Sequence, residues 1–412
     1  MTKLPLAAFI ASCALFALPA VAQESSWSLL TADLTTEPVV LKSMDAAGLK
    51  VVPAGGGDER AVPLDRFVEL TRTLAATTAP AGKFDLHLTT GDRVNGDPAG
   101  VKGENIVWKN PVLGEVNVPL RQLASLTKAG VKAPDDERRK EDVVTLANKD
   151  TVRGVIAGLT ATSVALQTDV GQQEIPLANI ESVAFAATAA AAAAQNREGY
   201  RVRLDDGSSV VGTAVKVAGN KVELTLGPGA GGAGGARQID VARVAGIEHV
   251  NGPVSWLSSR APGESVYLPF LGSSQTYPAR MNRNYRGDAI FVKDRRYERG
   301  IGVHSYSKLV YPLDGKTFAA FRTRYAIDGN AERADVTVRV KLDDKVVHEQ
   351  QNVRAGSLSP VVLVDLGGAK QLTLEVDFGA NIDSEDRLNW IEPALLKVKP
   401  AAPATQPAGA ES

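Results

Sequence analysis

Two short runs of this chain gather side chains of the kind that recognise polyols. One is Asp383-Ser384-Glu385-Asp386-Arg387-Leu388-Asn389-Trp390, and the other is His304-Ser305-Tyr306. A saccharide ring presents an apolar C–H face and a rim of hydroxyls. The face calls for a flat apolar surface, and the rim for paired donors and acceptors such as Asp, Asn, Arg or His. His304, Tyr306, Asp386, Arg387, Asn389 and Trp390 are therefore candidate saccharide contacts. A plainer reading stands beside this one. Large rings near a final strand usually pack inward, which would make Trp390 a core residue. His304 follows the alternating Ile301 and Val303, which suits a hydrogen-bonded wall histidine.

The same acidic loop offers hard oxygen ligands. Asp383, Glu385 and Glu392, with Asp386 nearby, could contribute to a structural calcium site, which needs roughly six to eight oxygens. The loop lacks the glycine-bearing spacing of an EF-hand, and a solvated acidic loop is the competing reading. Catalytic motifs are missing. There is no G-x-S-x-G elbow and no H-E-x-x-H, and the sole cysteine, Cys13, lies in the leading apolar run. The chain reads as a binding protein rather than an enzyme, with no cofactor expected other than the calcium that this loop could hold.

Composition narrows the partners. The 412 residues carry 46 Lys+Arg against 47 Asp+Glu, a formal net charge of −1, so no global positive field holds polyanions. One cysteine excludes a disulfide framework and thiolate metal sites. Aromatics at 5% confine any stacking surface to a small local patch. Residues 280–299 interleave basic side chains with Tyr285, Phe291 and Tyr297, a pattern also used for single-stranded nucleic acid. A secreted chain has little access to such a partner, so nucleic acid is not expected. Residues 1–22 have a short basic start, an apolar run and Ala20-Val21-Ala22, the three parts of a secretory signal peptide cleaved after Ala22. No later stretch is apolar for long enough to span a membrane. The expected location is secreted or periplasmic.

The elements that must position these residues fall into two halves. In the first, Gly96, Gly154 and Gly212 recur 58 residues apart inside related segments, TTGDRVNG, ANKDTVRG and DDGSSVVG, with TADLTTEP as a degenerate first copy. Each copy ends in a related run such as NVPLRQLASL, whose middle has 3₁₀ character before a last short strand. Period-two alternation in FDLHLTT and YRVRLDD marks half-buried strands. The expectation is four tandem barrel repeats at 27–72 (degenerate), 84–128, 143–186 and 199–251. They resemble small SH3-like or Sm-like barrels in strand order and turn placement. Residues 187–198 form an Ala-rich linker, the glycine run 227–236 a hairpin tip, and 399–412 a disordered tail.

From residue 255 to 398 the pattern becomes a series of longer alternating strands, including RADVTVRVKLDD, PVVLVDL and KQLTLEVDF, as in an antiparallel jelly-roll β-sandwich. Three stretches, RGIGVHSYSKLVYPLDGK (299–316), ADVTVRVKLDDKVVHE (334–349) and DLGGAKQLTLEVDFGANIDSEDRLNWIEPALL (365–396), together with Arg354-Ala355-Gly356, carry a family resemblance. This half resembles the NPCBM/NEW2 family of carbohydrate-binding modules, with a galactose-binding-like jelly roll. The resemblance implies glycan binding and, in some relatives, a structural calcium. The family usually has His-Ala before the Trp, whereas this chain has Arg387-Leu388-Asn389. If those side chains touch ligand, specificity is altered or lost. The whole chain is thus expected to be all-β: four barrels followed by a sandwich that holds a polysaccharide or glycoconjugate, with envelope proteins as partners of the barrels. The alternative is an envelope protein-interaction scaffold whose sandwich has lost sugar binding.

Overall fold

A computed structural model describes residues 26–74, 82–134, 140–186, 198–227, 235–272, 276–356 and 358–399. The expected signal segment 1–22, nearly all of the expected Ala-rich linker, most of the glycine run and all but the first residue of the expected tail lie outside the described residues. The chain is all-β, and the described residues contain no α-helix.

The first half forms four five-stranded units. Unit one comprises β1 (Trp27–Thr31), β2 (Thr36–Asp45), β3 (Gly48–Pro53), β4 (Arg60–Val62) and β5 (Phe67–Thr71). Unit two comprises β6 (Phe84–Leu88), β7 (Arg93–Lys102), β8 (Asn105–Asn110), β9 (Gly114–Pro119) and β10 (Leu123–Lys128). Unit three comprises β11 (Asp142–Leu146), β12 (Thr151–Leu159), β13 (Ser163–Thr168), β14 (Gly171–Pro176) and β15 (Ile180–Ala184). Unit four comprises β16 (Gly199–Leu204), β17 (Ser209–Ala218), β18 (Lys221–Leu226), β19 (Ala236–Asp240) and β20 (Val244–Val250). In each unit the first four strands pair antiparallel in succession, and the first strand also pairs with the fifth. Units two to four place a 3₁₀ turn just before the fifth strand, at Leu120–Gln122, Leu177–Asn179 and Val241–Arg243.

The repeated glycine has a steric cause. A Cβ on Gly96, Gly154 or Gly212 would fall on the carbonyl oxygen of Lys109, Gln167 or Thr225 respectively, each on the neighbouring third strand. The second strand crosses the third so closely there that only glycine fits. In all four units a bulge interrupts the register of this strand pair and bends the second strand.

The units associate in two pairs. Fifth strands join unit one to unit four (Ile247 opposite Leu70) and unit two to unit three (Leu126 opposite Val183). In the first pair the second strands also meet, with Val217 opposite Met44 and Ala218 opposite Ser43. In the second pair a cleft of about 390 Å³ lies in the corresponding place, lined by Val101, Leu126, Leu159 and Phe185 among others. One apolar core from Trp27 to Ile247 runs through all four units, which explains how such small modules are stabilised together.

The second half is a two-sheet sandwich. Its strands are β21 (Val254–Trp256), β22 (Glu264–Tyr267), β23 (Arg280–Met281), β24 (Ile290–Val292), β25 (Arg295–Tyr297), β26 (Gly300–His304), β27 (Ser307–Pro312), β28 (Ala320–Ile327), β29 (Val336–Leu342), β30 (Lys345–Val353), β31 (Val362–Asp365), β32 (Gln371–Phe378) and β33 (Arg387–Leu396). One sheet runs β23-β26-β33-β28-β31, with β21 added beside β33, and the other runs β22-β27-β32-β29-β30. Val338, Leu374, Phe321 and Trp390 fill the space between them. β24 and β25 form a separate hairpin.

The halves meet at a defined junction. Ala32 and Val68 of unit one pack with Val254, Trp256, Ala320, Ala394 and Leu396. Arg299 donates to Glu69 (2.8 Å) and Glu248 (3.3 Å) and lies 4.6 Å from the centre of the Trp256 ring. Arg201 also pairs with Glu248, and Arg203 with Glu69. Burial opposes charge on Glu248, but Arg299 and then Arg201 and Arg203 hold its carboxyl below the ordinary range.

Candidate functional site

The candidate site sits at one end of the sandwich, where β26 ends and β33 begins. His304 and Arg387 are register partners there. Three other segments close around them: the end of β22 with Tyr267 and Pro269, the approach to β23 with Tyr277, and the turn after β23 with Tyr285. Together with Asp383, Glu385 and Arg387 they line a pocket of about 330 Å³ around His304. Its size is at the low end of small-ligand sites.

Glycine again sets the local path. A Cβ on Gly302 would strike the backbone of Arg283, Asn284 and Tyr285. The bare Gly302 lets that turn lie against β26, with the Gly302 N–H donating to the Arg283 carbonyl at 2.9 Å. This contact seats Tyr285 at the pocket wall.

The rings form one cluster. Tyr277 stacks on the His304 imidazole, with centroids 4.9 Å apart and planes 24° apart. Tyr267 and Tyr285 meet Tyr277 edge-on at 5.6 and 5.8 Å. The cluster therefore presents apolar ring surface beside polar edges, the combination an amphipathic ring ligand requires. Nδ1 of His304 lies 3.0 Å from the carbonyl oxygen of Ser305. That contact assigns the ring proton to Nδ1 and leaves Nε2 as an acceptor. Burial lowers the His304 pKa, outweighing the Ser305 carbonyl and Asp383, so the ring is neutral near pH 7.

The charged groups have separate tasks. Arg387 donates to Asn330 (2.9 Å), pairs with Glu385 (3.3 Å) and lies 5.3 Å from the Tyr285 ring centre. Glu385 also accepts from the Arg333 backbone N–H at 3.1 Å. Asp383 accepts from the Phe270 backbone N–H at 3.2 Å through Oδ2.

Of the expected contacts, His304 and Arg387 line the pocket, and so do Asp383 and Glu385 from the acidic set. The others are corrected by their surroundings. Trp390 is 0% exposed and meets Tyr325 edge-on inside the core, so it offers no platform to a ligand. Asn389, 1% exposed, donates to Asp328 at 2.6 Å. Asp386 is 0% exposed; it accepts from the Ser305 hydroxyl (2.6 Å) and the Asp335 backbone N–H (3.1 Å). It anchors the segment that carries His304, and burial pushes its pKa up to about 6. Tyr306 turns to the other sheet, where its hydroxyl donates to Glu375 at 3.2 Å.

The expected calcium ligands do not converge. Glu392 lies further along β33, where its N–H donates to the Arg299 carbonyl, while Glu385 is committed to Arg333 and Arg387. Among the described residues, no group of three His, Cys, Asp or Glu side chains is placed to hold a metal ion. Nothing in the sequence alone singles out Tyr267, Pro269 or Tyr277 as site residues, and Tyr285 stands out only within the basic run. The concentration of tyrosines after residue 264 was the available signal.

A two-sheet β-sandwich with an aromatic and polar pocket at one end defines the class of this half of the chain. Residues 256–396 match the NPCBM/NEW2 domain family and form a domain of that family. The match does not extend into the four units that precede it.

Solved structures similar to the chain include the CBM51 module of Clostridium perfringens GH95 in complex with methyl-galactose. It is 21% identical, with 34% of this chain and 99% of that chain covered and a TM-score of 0.31. A second is CBM51-2 in complex with GlcNAc, with the INT domains, from Clostridium perfringens ZmpB. It is 20% identical, with 49% of this chain and 38% of that chain covered and a TM-score of 0.31. The alignment thus spans less than two fifths of that second chain. A third is the tandem CBM51 modules of a family 98 glycoside hydrolase from Streptococcus pneumoniae, 11% identical, with 63% of this chain and 89% of that chain covered and a TM-score of 0.31. No curated protein matches the chain. Among the described residues, no helix is long and apolar enough to cross a membrane.

Proposed function

We propose that this protein is an exported, non-catalytic glycan-binding protein whose sandwich holds a saccharide in the pocket around His304. The observation that carries this reading is the ring cluster of Tyr267, Tyr277 and Tyr285 on His304, flanked by Asp383, Glu385 and Arg387. Ring faces receive the C–H side of a sugar. The carboxylates and Nε2 accept from hydroxyls, and the guanidinium edge donates to ring or hydroxyl oxygens. Membership of residues 256–396 in the NPCBM/NEW2 family supports the same conclusion.

The four units act as an SH3-like array that carries the sandwich and offers surfaces to envelope proteins. Their shared core and the Arg299 junction support a single carrier rather than separate beads. The leader at 1–22 supports export. A glycan array probed with the full chain tests the reading. Retention on a defined set of glycans, lost in Tyr277→Ala protein that still unfolds cooperatively, is the expected result. No retention on any glycan would refute it.

A further inference from the structure

The pocket has more to offer a donor than an acceptor. Resting on the saccharide reading above, we propose that it selects an amino sugar, a hexose with a free ammonium group, over the N-acetylated counterpart. Three observations lead there. First, the positive groups at the pocket are already engaged. Arg387 is divided among Glu385, Asn330 and the face of Tyr285, while Arg286 donates to the Tyr285 hydroxyl and lies 5.4 Å from that ring's centre.

Second, acceptors remain open. Asp383 has one hydrogen bond, from the Phe270 N–H, and no ion pair among the described residues. With Glu385 matched to Arg387, Asp383 contributes the uncompensated charge of the pocket lining. Its field reaches both walls, because it helps to raise the Tyr267 pKa and works to raise that of His304. The neutral His304 adds Nε2 as a further acceptor.

Third, the rings of Tyr267, Tyr277 and Tyr285 stand around the same space. Their faces attract an organic cation as well as the C–H surface of a sugar. An ammonium group provides three donors and a positive charge, which match a carboxylate, an imidazole acceptor and aromatic faces at once. An N-acetyl group removes the charge and two of the donors.

Calorimetric titration of the full chain tests this with two probes, the trisaccharide of glucosamine and that of N-acetylglucosamine. At about pH 6.5 His304, its pKa lowered by burial, is mostly neutral. The expected result is about tenfold tighter binding of the glucosamine probe, with the advantage shrinking as salt is added. Asp383→Asn should lose about tenfold for the glucosamine probe and markedly less for the acetylated one. Equal affinities, tighter binding of the acetylated probe, or a preference that survives Asp383→Asn would overturn the inference while leaving the saccharide reading standing. If neither probe binds and a glycan array is also blank, both are overturned.

Discussion

The imidazole of His304 lies flat against Tyr277, 4.9 Å away at 24°, although the two residues stand on different segments of the sandwich. Tyr277 precedes β23, and His304 ends β26. The pairing of Arg280 with Gly302 and of Met281 with Ile301 brings those segments together. The stack forms the floor of the pocket and joins its apolar and polar parts.

Removing that floor should weaken binding without unfolding the domain. Tyr277 is only half-buried, and the core between the sheets does not depend on it. Tyr277→Ala is expected to weaken saccharide binding by about tenfold or more, with a loss of stability near 1 kcal/mol. Calorimetric titration and thermal unfolding measure the two effects separately.

Gly302 controls the wall. In Gly302→Ala the added methyl would push the 283–285 turn off β26 and move Tyr285 out of place. The expected outcome is a loss of binding comparable to Tyr285→Ala, with destabilisation of about 1–3 kcal/mol from overpacking. Ala substitution at the open Gly329, which nothing crowds, should leave binding as it is and serves as the control.

The junction between the halves rests on Arg299. Arg299→Ala would leave Glu69 with Arg203 and Glu248 with Arg201, and would also strip the cation from Trp256. A loss of about 2–3 kcal/mol is expected. In calorimetry the variant should separate into two unfolding transitions, whereas the wild type is expected to unfold with the halves coupled.

Asp386 makes a prediction about pH. Its folded-state pKa of about 6 lies above the ordinary carboxylate value, so the folded state holds the proton more tightly than the unfolded chain. Its contribution is fully present below about pH 4 and is lost as pH rises through about 6. Relative to Asp386→Asn, which does not titrate, the wild type should therefore lose stability on the order of 2 kcal/mol between about pH 4 and 7. Denaturant unfolding of both proteins across that range checks the sign. A difference that stays flat would refute the assignment.

Much of the fold could be read from the chain because its causes are local. The 58-residue recurrence of Gly96, Gly154 and Gly212 marks a close strand crossing in units two to four, where only glycine fits. Alternating strands such as KQLTLEVDF likewise carry their burial in their own pattern. The site was harder to read because its parts are remote. The run from Asp383 to Trp390 has suitable residue types, but the register of β33 against β26 and β28 turns Trp390 into the core between the sheets, while on the opposite face Asn389 is buried against Asp328 and Arg387 is left at the pocket. No local pattern could reveal that Tyr267, Tyr277 and Tyr285 would meet over His304. The three acidic residues illustrate the same point: Asp383, Glu385 and Glu392 are near in sequence, but the strand carries Glu392 away toward Arg299.

The most direct test is a crystal structure of the chain bound to a saccharide it retains on an array. The account predicts a sugar ring seated among Tyr267, Tyr277 and Tyr285, with hydroxyl or amino groups within hydrogen-bond reach of Asp383 and His304 Nε2. A saccharide bound elsewhere on the sandwich, or on the four units with the pocket left vacant, would contradict it.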